Sequence, residues 1–423
     1  MNEQKPKATA FTAYQKFVIF ILAITQFSVI LDFMVMSPLG DILMKSLSLK
    51  PSQFGMAVSA YAFSAGTSGL LTAGFADRFD RKKLLLFFYI GFIAGTICCG
   101  IAQSYTLLIA ARIVTGLFGG VIGSISMAII TDLFDINQRG RVMGFVQMAF
   151  GASQVLGIPI GLYLANGWGW HAPFILIAIM ASLIALLIIV KLQPVTKHLT
   201  VQQGENALKH LWLAISNRRY GVGFTATALL SIGGFMMMPF GAAFAINNLG
   251  VTPMQLPLLY MVSGVWALIF MPLIGKLSDQ MDKFSLFAMA SVLMMAVVIF
   301  YTHLSATPLW IIMIVNVIMM IGIMSRMVPS GALNSGIPDL KDRGAFMSIN
   351  SSLQQIAGGI AAAAAGMIVI QKTRFSPIEH YGTLGYIVAS ISCLSIYLVY
   401  RVSRMVKTKT AVAVEKTPSM IEV

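Results

Sequence analysis

The chain has 423 residues, of which 57% are hydrophobic and only 10% are charged, and its formal net charge is +14. Soluble globular proteins carry about 25% charged residues, so this composition excludes that class. Apolar runs of roughly 20 residues recur along the whole length, and each can span a bilayer core of about 30 Å. A transmembrane β-barrel is excluded because it needs short alternating segments. The sequence therefore predicts an all-α integral membrane protein.

Twelve apolar runs follow one another along the chain, and each predicts one transmembrane helix. A single long polar stretch, residues 191–219, divides them into six and six. The runs cover residues 17–40, 54–76, 84–103, 105–131, 142–165, 172–190, 220–247, 254–277, 284–304, 308–337, 345–370 and 382–400. We therefore expect two six-helix bundles in one polypeptide.

Lysine and arginine are concentrated in alternate loops, and short cytoplasmic loops collect these residues. They crowd the N-terminal tail, the loops after the second, fourth, eighth and tenth runs, the stretch after the sixth run, and the C-terminal tail. The opposite loops are poor in cations apart from Lys45, Lys50, Lys372 and Arg374. Both termini are therefore expected in the cytoplasm. The positive charge is assigned to the membrane surface, and no nucleic-acid partner is expected.

The polar stretches also define the expected domains. These are a cytoplasmic N-terminal tail (1–16), a first bundle (17–192), a cytoplasmic linker (193–219), a second bundle (220–404) and a cytoplasmic tail (405–423). In the linker, Leu208, Leu211, Trp212 and Ile215 recur at helical spacing. This segment is either an amphipathic helix on the membrane surface or an ordinary linker. The basic C-terminal tail is expected to be disordered.

A charged hairpin occurs once in each half, which indicates an internal repeat. Each copy places an aspartate four residues after a small residue, and then a second aspartate followed by a cation. The matching residues are Ala73, Asp77, Asp80 and Arg81 in the first copy and Gly275, Asp279, Asp282 and Lys283 in the second. Arg139-Gly140 and Arg343-Gly344 repeat at nearly the same offset. Parallel six-helix repeats are typical of transporters with a substrate site between two pseudo-symmetric halves.

Away from the ends of the twelve runs, the ionisable side chains of the Asp, Glu, Lys, Arg and His types are Asp32, Arg112 and Arg326. Such residues cost about 2.5–3.5 kcal/mol at a helix centre, so they are functional candidates. Asp32 lies roughly 22 Å from the cytoplasmic start of its run and Arg112 roughly 10 Å from the outer start of its own. Their depths therefore match. The pair is either a proton-coupling site, in which Arg112 controls the proton affinity of Asp32, or a static salt bridge.

Arg326 lies before Pro329 in the tenth run. It either lines the cavity and attracts an anionic group or extends to the cytoplasmic surface. Buried amides either line a wet central cavity or bond between helices. The candidates are Gln26, Gln147, Gln154, Asn316, Asn350 and Gln354. Glycines around Pro159 predict a kink and close packing in the fifth run.

Catalytic and cofactor signatures are missing from the sequence. It contains no phosphate-binding Gly-x-x-x-x-Gly-Lys-Ser/Thr loop and no nucleophile or His/Cys cluster. The three cysteines, Cys98, Cys99 and Cys393, fall inside apolar runs, so we expect them to be free and buried. We expect no enzyme activity, no cofactor, no metal and no disulfide.

The hairpin Ala73–Lys82 resembles the signature Gly-x-Leu-x-Asp-Arg-x-Gly-Arg-Lys/Arg of the major facilitator superfamily, with Ala73 and Asp80 in place of glycines. Arg112 followed by Gly116 is similar to the family's Arg-x-x-x-Gly on helix 4, and Trp170–Phe174 is similar to its Trp-Arg-x-x-Phe. The resemblance is closest to the twelve-helix drug:proton antiporter and sugar efflux branch. Where that branch has adjacent Gly-Pro on helix 5, this chain has Gly157-Ile158-Pro159.

The resemblance implies the major facilitator fold and alternating access. It implies that Asp77, Arg78, Arg81 and Asp279 form a cytoplasmic gate and that Arg112 takes part in proton coupling. We expect proton-coupled efflux of a small organic molecule (a drug, sugar or metabolite) by a monomer in the bacterial inner membrane. The alternatives are a proton-coupled uptake symporter on the same fold and a non-transporting membrane receptor.

Overall fold

The computed structural model describes residues 11–72, 75–196, 199, 207–339 and 342–415, with the side chains of 77, 136, 137, 207–210 and 410–415 outside that description. The described residues form helices and one isolated bridge between Ile370 and Glu379. Ten helical segments are long and apolar enough to cross a membrane. Two further long helices, Pro51–Thr72 and Arg343–Ile368, are richer in small residues. The predicted all-α membrane architecture is confirmed.

The first half contains eight α-helices. They are α1 (Ala13–Val35), α2 (Gly40–Ser46), α3 (Pro51–Thr72), α4 (Arg81–Gly100), α5 (Tyr105–Leu133), α6 (Ile136–Ala152), α7 (Ile158–Trp168) and α8 (His171–Lys191). The first apolar run was predicted as one span to residue 40, but α1 ends at Val35 and the chain turns into α2. A π-helical turn, Ser153–Gly157, joins α6 to α7. It precedes Pro159, which has no N–H to continue the α-helical pattern, so the predicted interruption is present.

The second half follows the same plan. It contains α9 (Ala207–Ser216), α10 (Arg218–Phe235), α11 (Gly241–Asn247), α12 (Leu256–Gln280), α13 (Lys283–Thr302), α14 (Leu309–Ser335), α15 (Arg343–Ile368) and α16 (Tyr381–Glu415). The run predicted over 220–247 is divided, because a 3-10 turn at Met238–Phe240 separates α10 from α11. This division repeats the one between α1 and α2, as the internal repeat predicts.

The linker contains a helix, which is one of the two alternatives that the sequence left open, and the described part of the C-terminal tail is more ordered than predicted. The linker forms α9, whose Leu211 and Ala214 are buried against the second half while Trp212 is exposed. For residues 405–415 the prediction of a disordered tail was wrong, since α16 continues to Glu415, and residues 416–423 lie outside the described residues. No glycine or proline interrupts residues 405–415. Lys409 Nζ also donates to the carbonyls of Ile337 and Pro338, which holds the extension against the bundle.

The aspartates of the repeated hairpins have a structural role that their spacing did not reveal. Asp80 is the N-cap of α4 and accepts from the backbone N–H of Lys82 at 2.9 Å. Asp282 is the N-cap of α13 and accepts from the N–H of Ser285 at 3.0 Å. A capping carboxylate satisfies a free N–H and favours the helix start. The second aspartate of each copy therefore starts the next helix.

The two halves meet along α3 and α15, where small residues allow the backbones to approach closely. A side chain at Gly55 would place its Cβ 2.6 Å from the carbonyl oxygen of Ala362. Ser59 Oγ donates across the same contact to the carbonyl of Gly359 at 2.7 Å. Small residues are what permit such packing in lipid, where burial of apolar surface drives helices together only weakly.

The ends of the molecule differ in how tightly the halves are joined. We call the end at which α1 begins and α16 ends the tail end, and the opposite end, where α2 and α11 lie, the closed end. The largest apolar core fills the first half and continues through the closed end into the second, with Leu43, Phe54, Phe240 and Phe244 among its residues. A smaller core lies at the tail end of the second half. The halves therefore share their core at the closed end.

We predict that Gly55→Ala lowers the thermal unfolding midpoint in detergent, because the added methyl group meets backbone that cannot move aside. Overpacking of this kind costs about 1–3 kcal/mol. The matched control is Gly144→Ala in α6, where a Cβ meets no atom within 4 Å. Its midpoint should stay constant or rise, since alanine favours a helix by up to about 1 kcal/mol. Equal midpoints for the two variants would contradict close α3–α15 packing.

We predict that Asp282→Ala destabilises the protein by about 0.5–2 kcal/mol through loss of the α13 cap. The control is Asp135→Ala, since Asp135 is the N-cap of α6 without a side-chain hydrogen bond. The ion pair with Lys407 holds the pKa of Asp282 below its ordinary value. The contribution is therefore complete above a pH of about 3.9 and is lost as the pH falls through the lowered pKa. Thermal unfolding of both variants between neutral and acidic pH checks the size and the sign.

Candidate functional site

A buried ion pair lies inside the first half, between α1 and α5. Arg112 Nη1 donates to Asp32 Oδ2 at 2.8 Å, and both side chains are 0% exposed. The two charges, which helix rise predicts to lie at the same depth, are therefore in contact. Each charge offsets the desolvation of the other, and neither would be tolerated alone in an apolar core.

Two further residues complete the surroundings of the pair. Thr96 Oγ1 on α4 lies 3.4 Å from Asp32 Oδ1 and shares its single proton between that carboxylate and the Phe92 carbonyl at 2.9 Å. The Arg112 guanidinium lies over the Tyr61 ring of α3 at 4.6 Å from its centroid. A cation above an aromatic face is stabilised by the ring's charge distribution. Both residues are buried. Neither residue could be predicted from the sequence, because uncharged residues within apolar runs carry no signal of their own.

Arg112 is only partly satisfied by the protein. Its Nε and Nη2 are buried and have no hydrogen-bond partner among the described protein groups. A guanidinium can donate five hydrogen bonds, and a bidentate carboxylate would accept two of them in parallel. The single contact at Nη1 is therefore a weaker restraint than a bidentate pair, although both charges are buried.

The pair is connected to the second half through aromatic rings. Phe33, the neighbour of Asp32, lies 5.2 Å from the Tyr61 ring and 5.8 Å from the Phe235 ring of α10. Tyr61 thus contacts Arg112 on one side and Phe33 on the other. Tyr61 and Phe33 thus form a chain of ring contacts from the ion pair to Phe235 of α10.

A polar network joins the halves at the closed end. Asp41 on α2 is 3% exposed, and its Oδ1 accepts from Asn247 Nδ2 of α11 at 2.7 Å. Lys45 Nζ donates to Asp41 Oδ2 at 2.7 Å. Arg374 donates to the carbonyl of Lys45 and to Ser48 Oγ. Lys45 and Arg374, two exceptions to the cation bias, therefore hold the closed end together.

The predicted gate residues lie at the tail end. The side chain of Asp77 is outside the described residues, and Arg78 and Asp279 are exposed. Arg81 is buried, and its Nε donates to Asp132 Oδ2 of α5 at 3.3 Å. In this structure Arg81 thus braces the hairpin against its own half. The gating role of the four residues stays a prediction.

The predicted cavity residues of the first half fall in different environments. Gln26 faces Gly123 of α5, and its Oε1 is buried without a hydrogen-bond partner among the described groups. Gln147 is exposed. Gln154 is 7% exposed and lies where α12 of the second half crosses the π-helical turn, beside Gly264. Gln154 therefore lies at the contact between the halves, as a cavity or interface residue would.

Of the predicted residues of the second half, Asn350 bonds between helices. Thr227 Oγ1 of α10 donates to Asn350 Oδ1 and accepts from Asn334 Nδ2, both at 2.7 Å. Asn316 donates to the Ile312 carbonyl of its own helix, and Gln354 is half-buried. Arg326 is 6% exposed and lies 5.7 Å from the Phe287 ring, with Nε and Nη2 unpartnered among the described groups. Arg326 is thus buried within the second half instead of extending to the tail surface.

No group of three or more His, Cys, Asp or Glu side chains that could hold a metal ion occurs among the described residues. Within that same part of the chain all three cysteines are free, and Cys393 is exposed, contrary to its predicted burial. The charged groups of this site are the Asp32 carboxylate and the Arg112 guanidinium, which are in contact inside the first half.

Known proteins with matching sequence or fold are membrane transporters. The family model described as Major Facilitator Superfamily matches residues 22–362. The uncharacterized MFS-type transporter YbcL of Bacillus subtilis (strain 168) is 23% identical over 381 residues, which is 90% of this chain and 95% of the relative. A probable sugar efflux transporter of Mannheimia succiniciproducens is 29% identical over 163 residues, only 38% of this chain and 41% of the relative.

The fold comparison agrees with the sequence comparison. The crystal structure of a D-xylose-proton symporter superposes with a TM-score of 0.77 at 17% identity, covering 92% of this chain and 98% of that one. At this identity the likeness shows the fold, which is twelve helices in two halves. The α3 and α15 helices are then the two spans whose small residues made them less apolar than the other ten. The chain therefore belongs to the Major Facilitator Superfamily and is a multi-pass membrane transporter.

Proposed function

We propose that this transporter couples the export of a small organic molecule to proton entry, with Asp32 as the proton site and Arg112 as its counter-charge. The observation that carries the proposal is the fully buried Asp32–Arg112 pair, connected to the other half through Tyr61, Phe33 and Phe235. A static brace would not need an aromatic connection to the surface at which the halves move.

The coupling follows from the cost of burying charge. While Arg112 contacts Asp32, both can remain ionised in the core. If a movement of the halves separates them, an isolated carboxylate is strongly disfavoured there, and Asp32 avoids that cost by taking up a proton. Proton binding and conformation are then linked, because each state of Asp32 favours one arrangement of the halves.

The arrangement of contacts supports assignment to one state of an alternating-access cycle. The network of Asp41, Lys45 and Asn247 joins the halves at the closed end. With the predicted orientation, this end faces away from the cytoplasm and the structure is inward-facing. In the opposite state the hairpins with Asp77, Arg78, Arg81 and Asp279 would join the halves at the tail end. Protonation of Asp32 would shift the population between these states.

Export is the direction that we favour, and a sugar, drug or related metabolite is the substrate class. Export of a sugar is supported by the similarity to a probable sugar efflux transporter, which this chain matches over less than half of that protein's length. Proton-coupled uptake on the same fold is the competing function, and ligand binding without transport is another. The cation pattern places both termini in the cytoplasm, and bacterial relatives favour the inner membrane.

The ion pair predicts a non-additive mutational cycle. Arg112→Met should destabilise the protein by about 3–5 kcal/mol, because it leaves the Asp32 carboxylate buried and alone. Adding Asp32→Leu should restore most of that loss, since two apolar side chains can replace a buried pair at little cost. Thermal or denaturant unfolding in detergent measures all four proteins. Destabilisations that simply add would show that the two residues are not coupled.

The proposed function is tested by proton flux in proteoliposomes with an imposed pH gradient and an internal pH dye. Sugars, cationic dyes, antibiotics and organic acids are supplied to wild type, to Asp32→Asn and to Asp135→Asn. Asp135 is exposed and its side chain makes no capping hydrogen bond. The variant Asp135→Asn therefore controls for the removal of one carboxylate from the protein. We expect compound-dependent flux in wild type and Asp135→Asn, and none in Asp32→Asn.

The outcomes separate the competing functions. Protons moving against the direction of the compound indicate antiport, and protons moving with it indicate an uptake symporter. Flux that survives Asp32→Asn would place the proton site elsewhere. Compound binding to folded wild type without proton movement would favour a uniporter or a receptor and would refute coupling.

A further inference from the structure

A basic pocket lies at the tail end of the second half, far from the ion pair. It is formed where one face of α16 passes the first turn of α10, and its volume is about 500 Å³. The α16 residues recur at helical spacing, so they share one face. The pocket is lined by Arg219, Tyr397, Tyr400, Arg401, Arg404, Met405 and Thr408.

The three arginines make the pocket strongly positive. Arg219, Arg401 and Arg404 are exposed, and no carboxylate is among the described residues that line the cavity. Asp282, the N-cap of α13, is engaged by Lys407 of α16 at 2.7 Å. Its charge is therefore matched by a lysine outside the pocket. Three exposed guanidinium groups line one cavity that has no acid among its described lining residues, and guanidinium donors of this kind bind phosphate.

Tyr400 gives the pocket a fixed wall. Its ring lies 5.2 Å from the ring of Phe284 on α13, and the Arg404 guanidinium lies 5.8 Å from the same Tyr400 ring. The contact with α13 limits the movement of Tyr400, and the stacking of Arg404 orients its donors. At least part of the site is thus formed before any ligand binds.

The depth of the pocket identifies the source of the phosphate. Tyr400 and Arg404 lie 19 and 23 residues after the start of α16 at Tyr381. That is roughly 29–35 Å along the helix, about one hydrocarbon thickness from its beginning. The pocket is therefore at the level of the lipid headgroups. Tyr397, one turn nearer the membrane, is 59% exposed and can contact the glycerol and upper acyl region of a lipid.

We propose that this pocket binds the phosphate headgroup of an anionic membrane phospholipid, which would bridge α10 and α16. A soluble phosphorylated compound would meet the same arginines but would gain nothing from Tyr397. Such a lipid would join α10 and α16, the first and last membrane-spanning helices of the second half. Its binding should therefore stabilise that half, independently of the Asp32–Arg112 pair.

The test compares purified protein in detergent with added phosphatidylglycerol, phosphatidylcholine or glycerol 1-phosphate, by thermal unfolding and by native mass spectrometry. The variant is Arg219→Gln/Arg401→Gln/Arg404→Gln. The charge-matched control is Lys83→Gln/Lys191→Gln/Lys276→Gln, which removes three exposed cations from the tail end outside the pocket. Arg401→Gln alone is measured as well, so that the test stands if the triple variant folds poorly.

We expect phosphatidylglycerol to raise the unfolding midpoint of wild type and of the control, and to remain bound in the mass spectrum. Each arginine should contribute about fivefold to the apparent affinity, since a cation near the surface is worth about 1 kcal/mol. Arg401→Gln should thus weaken binding about fivefold and the triple variant should lose it. Equal effects in triple variant and control would show a general charge effect and overturn the proposal. Equal protection by glycerol 1-phosphate or phosphatidylcholine would also overturn it.

Discussion

The structure depends on the cost of placing Asp32 and Arg112 in the centre of an apolar bundle. Neither charge can be hydrated there, so each is retained only while the other stays within contact distance. Thr96 and Tyr61 lower the cost further, by a hydroxyl hydrogen bond to the carboxylate and by an aromatic face under the guanidinium. The single Nη1 contact leaves part of the guanidinium without a partner among the described protein groups. Each charge needs the other, but the Arg112 guanidinium is only partly hydrogen-bonded. Such a pair is suited to the two states of the proposed mechanism, in which the charges are in contact or separated.

The contact between the halves supplies the second constraint. Along α3 and α15 the backbones are close enough that a methyl group at Gly55 would collide with the carbonyl of Ala362. At the closed end, Asp41 and Asn247 add a polar connection. The helices at this interface also carry the rings that reach the ion pair, since Tyr61 is on α3 and Phe235 is on α10. The ion pair and the contact between the halves are therefore linked through a few aromatic side chains, on which the proposed coupling depends.

Much of this arrangement could be predicted from the sequence because membrane geometry is simple. Helix rise alone placed Asp32 and Arg112 at one depth, and the repeated hairpins indicated the two-half architecture. The identity of neighbours could not be predicted in the same way. Tyr61 and Thr96 look like any residues of an apolar run until α3 and α4 are packed around α5. Asp41 and Asn247 lie about 200 residues apart, each at the end of an apolar run.

Other differences have local causes. The tail was expected to be disordered because it is basic, but helix α16 has no residue that would end it, and Lys407 and Lys409 find acids on neighbouring segments. The second aspartates of the hairpins were interpreted as parts of a charged loop, whereas Asp80 and Asp282 are helix caps. The distribution of charged residues along the sequence therefore predicts on which side of the membrane each loop lies. It does not predict the partner of each charged side chain, which only packing determines.

The most direct test of the central claim is the distance between the halves at the tail end as a function of pH. Spin labels would be introduced at positions 140 and 344 after the native cysteines are replaced by alanine. A Cβ added to Gly140 or Gly344 would meet no atom within 4 Å, so both positions have room for a label. Double electron–electron resonance spectroscopy of the labelled wild type and Asp32→Asn then measures the distribution of label distances, which reports the populations of both states. We expect the wild-type distribution to shift with pH and that of Asp32→Asn to stay constant. An equal pH-dependent shift in both proteins would contradict the assignment of Asp32 as the proton site.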